Sequence, residues 1–179
     1  MKNKQFFDVV IIGGGPSGSN AAVSYKKLNP ELRVGVVDKE FFPRDKSCGD
    51  AIGPGVINAL KRFDNDHILE GEPKVISTTL FGPKNIGIHN YIPKVKNKED
   101  SIVYVIPRLD LDNRIFNLAK EAGAETFEGY RYSKFIKNEE SLSIELENEN
   151  KDKLLIETKL LIGADGANSR VRKSLNLNQ

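Results

Sequence analysis

Gly13-Gly14-Gly15-Pro16-Ser17-Gly18 sets three glycines in the spacing G-x-G-x-x-G, and the chemistry of that spacing is recognition of a diphosphate by main chain. Gly13 permits a tight turn, Gly15 lets a pyrophosphate approach the backbone, and Gly18 lets a helix pack closely on a strand. The phosphates would rest on a helix beginning near Ser17, whose unpaired N–H groups and dipole favour negative charge. About twenty residues beyond Gly18 comes Asp38, followed by Lys39. A carboxylate there can accept hydrogen bonds from ribose hydroxyls, and like-charge repulsion disfavours a 2′-phosphate beside it. A glycine-rich turn without a ligand is the plain alternative, but it does not account for the strand before the turn, the helix after it and Asp38 together.

A second group lies in Phe42-Pro43-Arg44-Asp45-Lys46-Ser47-Cys48-Gly49. Cys48 is the chain's single cysteine, so it forms no internal disulfide. Two readings stand: a small buried hydrophobe, as free cysteines often are, or a thiolate favoured by Arg44 and Lys46. Arg44 and Lys46 in turn read either as solvated loop charges or as ligand contacts. His67 and His89 sit in polar sequence with no partner at ligand spacing, so both read as surface residues and no metal site is expected.

The elements that must position these residues follow from periodicity. Asp8-Val9-Val10-Ile11-Ile12 is a β-branched run suited to a strand buried on both faces of a parallel sheet. A helix is expected from Ser17 to Leu28, stopped by Asn29-Pro30, and then a second buried strand over 32–37 ending at Asp38. This makes a βαβ unit. Residues 40–55 read as a loop and Val56 to about Phe63 as a short helix. Short strands are expected between Lys74 and Ile106, broken by Gly82-Pro83 and by Pro93. The next helix starts near Asp110 or Leu111, turns Leu111, Ile115, Leu118 and Ala119 to one face, and stops at Gly123. Arg108 reads as a charge near its start. Thr126–Phe135, Ser141–Leu146 and Lys153–Ile162 are expected strands, with the polar runs KNEE and ENENKD as hairpin turns. A last amphipathic helix takes Asn168 or Ser169 as its cap.

Composition narrows the classes further. With 27 basic and 25 acidic residues among 179, and no dense basic block, the chain is not an electrostatic nucleic-acid binder. The apolar run before the glycines is too short for a signal core or a membrane span. A cytoplasmic location is expected, with association at a membrane surface left open.

Nicotinamide and flavin dinucleotides share the first βαβ unit, and other segments choose between them. KLLIGADGANSRVRKSL, residues 159–175, resembles the strand–Gly-Ala-Asp-Gly–x-x-Ser–x-x-Arg motif of the flavoprotein monooxygenase and geranylgeranyl reductase superfamily, the p-hydroxybenzoate hydroxylase-like flavoproteins. FPRDKSCGDAIGPGVINAL, residues 42–60, resembles the Arg-x-Lys-x-Cys-Gly-(Gly/Asp) loop of geranylgeranyl reductases. PRLDLDNRIFNLAKEAGAE resembles the family's Arg-x-x-(Phe/Leu)-Asp-x-x-Leu helix, with Ile115 or Phe116 where Leu is usual.

The resemblance implies FAD as cofactor, with NAD(P)H as a candidate electron donor. It implies cofactor contacts at Gly13, Gly15, Ser17, Gly18, Asp38, Lys39, Arg44, Arg108, Asp165 and Gly166. Ser169 and Arg172 would begin the helix after the Asp-Gly pair, and Cys48 and Gly49 would approach the flavin ring and the substrate pocket as the catalytic pair. The implied fold is α/β, a Rossmann-like FAD-binding domain over 1–179 with a parallel sheet and an antiparallel β-meander. Residues 72–107 would be a β-rich insertion opening a substrate region that is otherwise largely absent. The implied reaction is reduction of carbon–carbon double bonds in a prenyl chain of the geranylgeranyl type, on a prenylated lipid or isoprenoid substrate. The alternatives are an FAD-dependent monooxygenase or halogenase-like enzyme, or a non-catalytic flavin-binding fragment. The family pattern also implies a C-terminal half, supplied in cis or in trans.

Overall fold

The computed structural model describes residues 5–91 and 102–176. Its contacts divide the chain into two units, one running up to Asp45 and resuming at Asp112, the other Lys46–Leu111.

In the first unit the β-branched run forms β1 (Gln5–Ile12), followed by α1 (Pro16–Leu28) and β2 (Val34–Asp38). Proline at the first position of α1 has no N–H to lose there, and Asn29 ends the helix in extended conformation. β1 and β2 pair in parallel, Val9 beside Val34 and Ile12 beside Val37. Every residue of β2 is buried, as its lack of polar alternation requires. The next helix, α3 (Arg108–Glu121), leads to β7 (Glu125–Glu128), which extends the sheet in parallel beyond β2. Gly123 ends α3 at φ +92°, and Leu111, Ile115, Leu118 and Ala119 are all buried, as their spacing predicts.

Sequence periodicity treats 126–135 as one strand, and here the structure differs. The run breaks at Gly129, φ +77°, into β7 and β8 (Arg131–Lys137), which lie on opposite edges of one sheet; with β9 (Leu142–Glu147) and β10 (Lys153–Gly163) its order is β7-β2-β1-β10-β9-β8. The apolar pattern is continuous across the break, so only the left-handed glycine marks it. β8, β9 and the long β10 form an antiparallel meander. The last part of β10 then runs parallel to β1, with Ile12 beside Gly163.

The core explains the arrangement. Val10, Ile12 and Val37 pack with Tyr132, Ile144, Leu146 and Ile156 of the meander and Val171 of α4 (Arg170–Ser174). Ile11 points the other way, beneath Gly18 of α1. Each fully buried aliphatic chain contributes about 1.5–3 kcal/mol, so a polar residue at Val10 or Ile12 would cost stability of that order.

In the second unit β3 (Ala51–Ile52) pairs with β6 (Tyr104–Val105), and α2 (Pro54–Lys61) buries Ile57 and Leu60. α2 starts two residues earlier than expected because Pro54 suits a first helical turn. β4 (Ser77–Phe81) and β5 (Gly87–Tyr91) form a hairpin around Gly82-Pro83. The expected break at Pro93 lies outside the described residues. The 72–107 stretch falls within this unit. Among the described residues no helix is long and apolar enough to cross a membrane.

Candidate cofactor site

β1 and β10 end side by side, and the chain leaves them in different directions, into α1 and into α4. Such a switch between parallel strands opens a crevice at their carboxyl ends. Gly13 and Ala164 sit there: Gly13 N–H donates to Val37 O at 2.7 Å and Ala164 N–H to Ile12 O at 2.7 Å.

Each glycine does a different job. Gly13 has φ +108°, and a Cβ on it would lie 2.3 Å from Ala164 O. A Cβ on Gly18 would lie 1.8 Å from Gly13 O, so this glycine brings α1 onto the turn. A Cβ on Gly14 would strike the rings of Phe116 and Phe42, which stack at 4.0 Å between centroids. Gly15 is open, with only Arg44 Nη2 nearby, 3.3 Å from where its Cβ would be. α1 starts from Gly15 with no side-chain cap and no acidic residue in its first turn, and Ser17 is exposed at its second position. Ser19 is fully buried and donates to Gly14 O at 2.8 Å.

Asp38 is buried at the end of β2. Its Oδ2 accepts from Gly14 N–H at 2.7 Å and its Oδ1 from Glu40 N–H at 3.0 Å. Arg44 Nη2 lies 3.4 Å from Asp38 Oδ2, and Arg44 Nη1 lies 3.9 Å from Asp112 Oδ2. The guanidinium also lies over the Phe42 ring, 4.9 Å from its centroid. Phe42 N–H donates to Glu128 Oε2 at 2.8 Å, which ties the loop to β7. Lys39 is half-exposed and pairs with Glu40 at 3.0 Å.

These features fit a diphosphate-bearing cofactor. The open approach at Gly15, the uncapped helix start and the adjoining guanidinium all favour an anion, and Arg44 Nε is buried with no hydrogen-bond partner among the described residues. An unsatisfied buried N–H costs about 1–3 kcal/mol, which an acceptor on a ligand would relieve.

Asp165 and Gly166 have a fuller local explanation than the sequence offered. Asp165 Oδ1 accepts from Ser169 Oγ at 2.5 Å, and its Oδ2 accepts from Arg170 N–H at 2.6 Å. Ser169, the true N-cap of α4, accepts from Arg172 N–H at 3.0 Å. Gly166 takes φ +85° with open space around it. The Asp-Gly pair is thus a capping carboxylate followed by the turn residue, and the Ala164 carbonyl together with the Asp165 backbone nitrogen lies against the glycine turn.

Cys48, Gly49 and Arg108 belong to the second unit. Cys48 is exposed, so the buried-hydrophobe reading is set aside. The Asp50 backbone N–H, and after it the Arg108 side chain, hold its thiol below the usual range. Arg108 N–H donates to Asp50 Oδ1 at 3.2 Å at the start of α3. Gly49 has open space around its Cα. His67 and His89 are both exposed, and His89 Nδ1 pairs with Thr79 Oγ1 at 2.6 Å.

Sequence reading quoted Asp112, Phe42 and Phe116 only within motifs and gave none of them a role in the site. Asp112 is fully inaccessible to solvent. The signal was present: it stands three, four and seven residues before Ile115, Phe116 and Ala119, a carboxylate on the buried stripe of α3.

The chain is 31% identical over 170 residues to geranylgeranyl diphosphate reductase of Rhodobacter capsulatus, covering 94% of this chain and 40% of that protein. It is 33% identical over 122 residues to menaquinone reductase of Mycolicibacterium smegmatis, covering 68% of this chain and 29% of that one. The chain thus spans well under half the length of these curated relatives. Among solved structures it is similar to a geranylgeranyl bacteriochlorophyll reductase-like protein from Thermoplasma acidophilum, at TM-score 0.80 and 24% identity, covering 98% of this chain and 43% of that one. It is also similar to p-nitrophenol 4-monooxygenase from Pseudomonas putida, at TM-score 0.83 and 19% identity over 98% of this chain and 45% of that one. At these identities the two structures speak to the fold alone. A family model described as FAD binding domain matches residues 7–179, and the chain, an α/β flavoprotein domain of the FAD-dependent oxidoreductases, belongs to that family.

Proposed function

We propose that this chain carries the ADP half of FAD on the 13–18 turn and serves a reductase that saturates carbon–carbon double bonds of a prenyl chain. The observation that carries the cofactor placement is the contrast at the turn: Gly13, Gly14 and Gly18 are filled by protein, whereas Gly15 faces open space and Arg44. In this reading Gly15 and the start of α1 receive the pyrophosphate, Arg44 neutralises it, and Asp38, held by Gly14 N–H, accepts from the ribose. FAD, when bound, supplies two-electron redox chemistry, with NAD(P)H as the donor that is oxidised and each double bond taking up two electrons and two protons.

The choice of a reductase rests on Cys48-Gly49, whose thiol Asp50 and Arg108 favour as thiolate, and on the reductase names of the 31% and 33% identical relatives. Cys48 and Gly49 then border the substrate. The substrate wall comes from sequence beyond these residues, in cis or in trans, and a membrane surface presents the prenylated lipid.

The test is anaerobic. The FAD-loaded chain, alone and within the longer protein, is reduced with dithionite and mixed with a geranylgeranylated acceptor. Return of the oxidised flavin spectrum, with a saturated product by mass spectrometry, is expected only for the longer protein. Reoxidation that waits for oxygen and yields an oxygenated product would make it a monooxygenase, and a chain that retains no FAD in either form would refute the cofactor placement.

A further inference from the structure

We propose that Asp112 is a positioning residue, holding the Arg44 guanidinium against the Gly15 turn so that it meets the diphosphate there. The proposal rests on reading that turn as the diphosphate cradle, and deepens it by naming what orients its cation.

A buried carboxylate costs several kcal/mol unless charge and hydrogen bonds compensate it. Asp112 is fully inaccessible, with Arg44 Nη1 at 3.9 Å. One turn later on the same helix, Phe116 stacks on Phe42, and Phe42 lies beneath the guanidinium. α3 therefore grips the loop at two points, an aromatic face and a charge, and the loop residues that meet them are two positions apart. With Asp38 on a third side, the fourth side of Arg44 looks toward Gly15.

The distances argue that Arg44 is oriented and not consumed. A guanidinium serving only as an internal tie would engage a carboxylate in two short bonds of about 2.7–2.9 Å. Here the carboxylates stand at 3.4 and 3.9 Å, and Nε keeps a buried N–H with no partner among the described residues. The charge is held in place while its hydrogen-bonding capacity is left for a ligand oxygen.

Asp112→Asn gives the proposal a sign. If Asp112 acted on the site only through its charge, removing a negative group would tighten binding of an anionic cofactor. Positioning predicts the reverse: FAD affinity about tenfold weaker, equivalent to about 1.4 kcal/mol. In an Arg44→Met background the same substitution should then change affinity less than about twofold, since its effect runs through Arg44. FAD binding by fluorescence titration on wild type, both single variants and the double variant reads this, with thermal melts of the ligand-free proteins as the folding control. Unchanged or tighter binding in Asp112→Asn overturns the proposal, as does an equal loss in the Arg44→Met background. In the ligand-free chain, the Arg44 Nε–H proton followed by NMR should exchange slowly with water and lose that protection in Asp112→Asn. Unchanged protection overturns the proposal whether or not FAD binds, whereas failure of the wild type to bind FAD refutes the cradle reading.

Discussion

Gly13 and Ala164 meet backbone to backbone: a Cβ on Gly13 would stand 2.3 Å from the Ala164 carbonyl oxygen, at a residue whose φ is +108°. This contact joins the two motifs most separated in the sequence, the glycine turn after β1 and the Ala-Asp-Gly turn after β10. It makes the cradle a product of two parallel strands ending at one level.

Gly13→Ala should therefore destabilise the fold by about 2–4 kcal/mol, combining left-handed strain with overpacking. Gly166→Ala has a similar φ of +85° but open space, and should cost only about 1–2 kcal/mol. Urea denaturation midpoints compare the two directly. Equal losses would mean that backbone conformation alone, without the Ala164 contact, explains Gly13.

Gly15→Ala separates binding from folding. The added methyl would meet only Arg44 Nη2 at 3.3 Å, the end of a flexible side chain. Stability should fall by no more than about 1 kcal/mol, the cost of alanine for glycine at a helix N-cap, while FAD affinity falls at least tenfold. Isothermal titration beside a thermal melt decides it, and a variant that binds FAD normally would remove Gly15 from the cradle.

Asp38→Ala should affect the protein even without cofactor. Losing the acceptor of Gly14 N–H leaves a buried donor unpaired, at about 1–3 kcal/mol of stability. FAD affinity should fall as well, because the turn and the ribose share this carboxylate. Denaturation of the ligand-free variant at wild-type stability would show that Gly14 finds another partner.

Cys48 should be unusually reactive at moderate pH. Hydrogen bonding from the Asp50 N–H, and then from Arg108, lowers its pKa, so the thiolate persists to lower pH than in a free thiol. Iodoacetamide alkylation should reach half its plateau rate below the midpoint for N-acetylcysteine. Arg108→Met should move that midpoint upward but not fully back, since Asp50 remains the larger cause. A wild-type midpoint at or above that of N-acetylcysteine would contradict the thiolate reading.

The elements legible from sequence are those whose signals are local. β1, the glycine turn, α1 and β2 were readable because a β-branched run, a G-x-G-x-x-G spacing and Asn29-Pro30 act within a few residues of themselves. The same holds for α3, whose stripe of Leu111, Ile115, Leu118 and Ala119 needs no distant information. The break at Gly129 was hidden because apolar residues continue on both sides of it, and a strand's pattern does not say which edge of a sheet it will join. The Asp165-Gly166 pair was legible as a motif but not as a cap, since Asp165 finds its donors only once α4 has formed.

The sequence by itself determined a βαβ unit with an anion-receiving turn, because glycine spacing, proline placement and side-chain alternation are short-range constraints on φ, ψ and burial. Only the tertiary structure decided that Gly13 rests on Ala164, that Phe42 and Phe116 floor the turn, and that Arg44 stands between Asp38 and Asp112. These are contacts between residues up to about 150 positions apart, set by strand order and helix packing. Helix spacing marks Asp112 as a carboxylate on a buried stripe, but which cation stands beside it, Arg44, is fixed by the neighbours that folding brings.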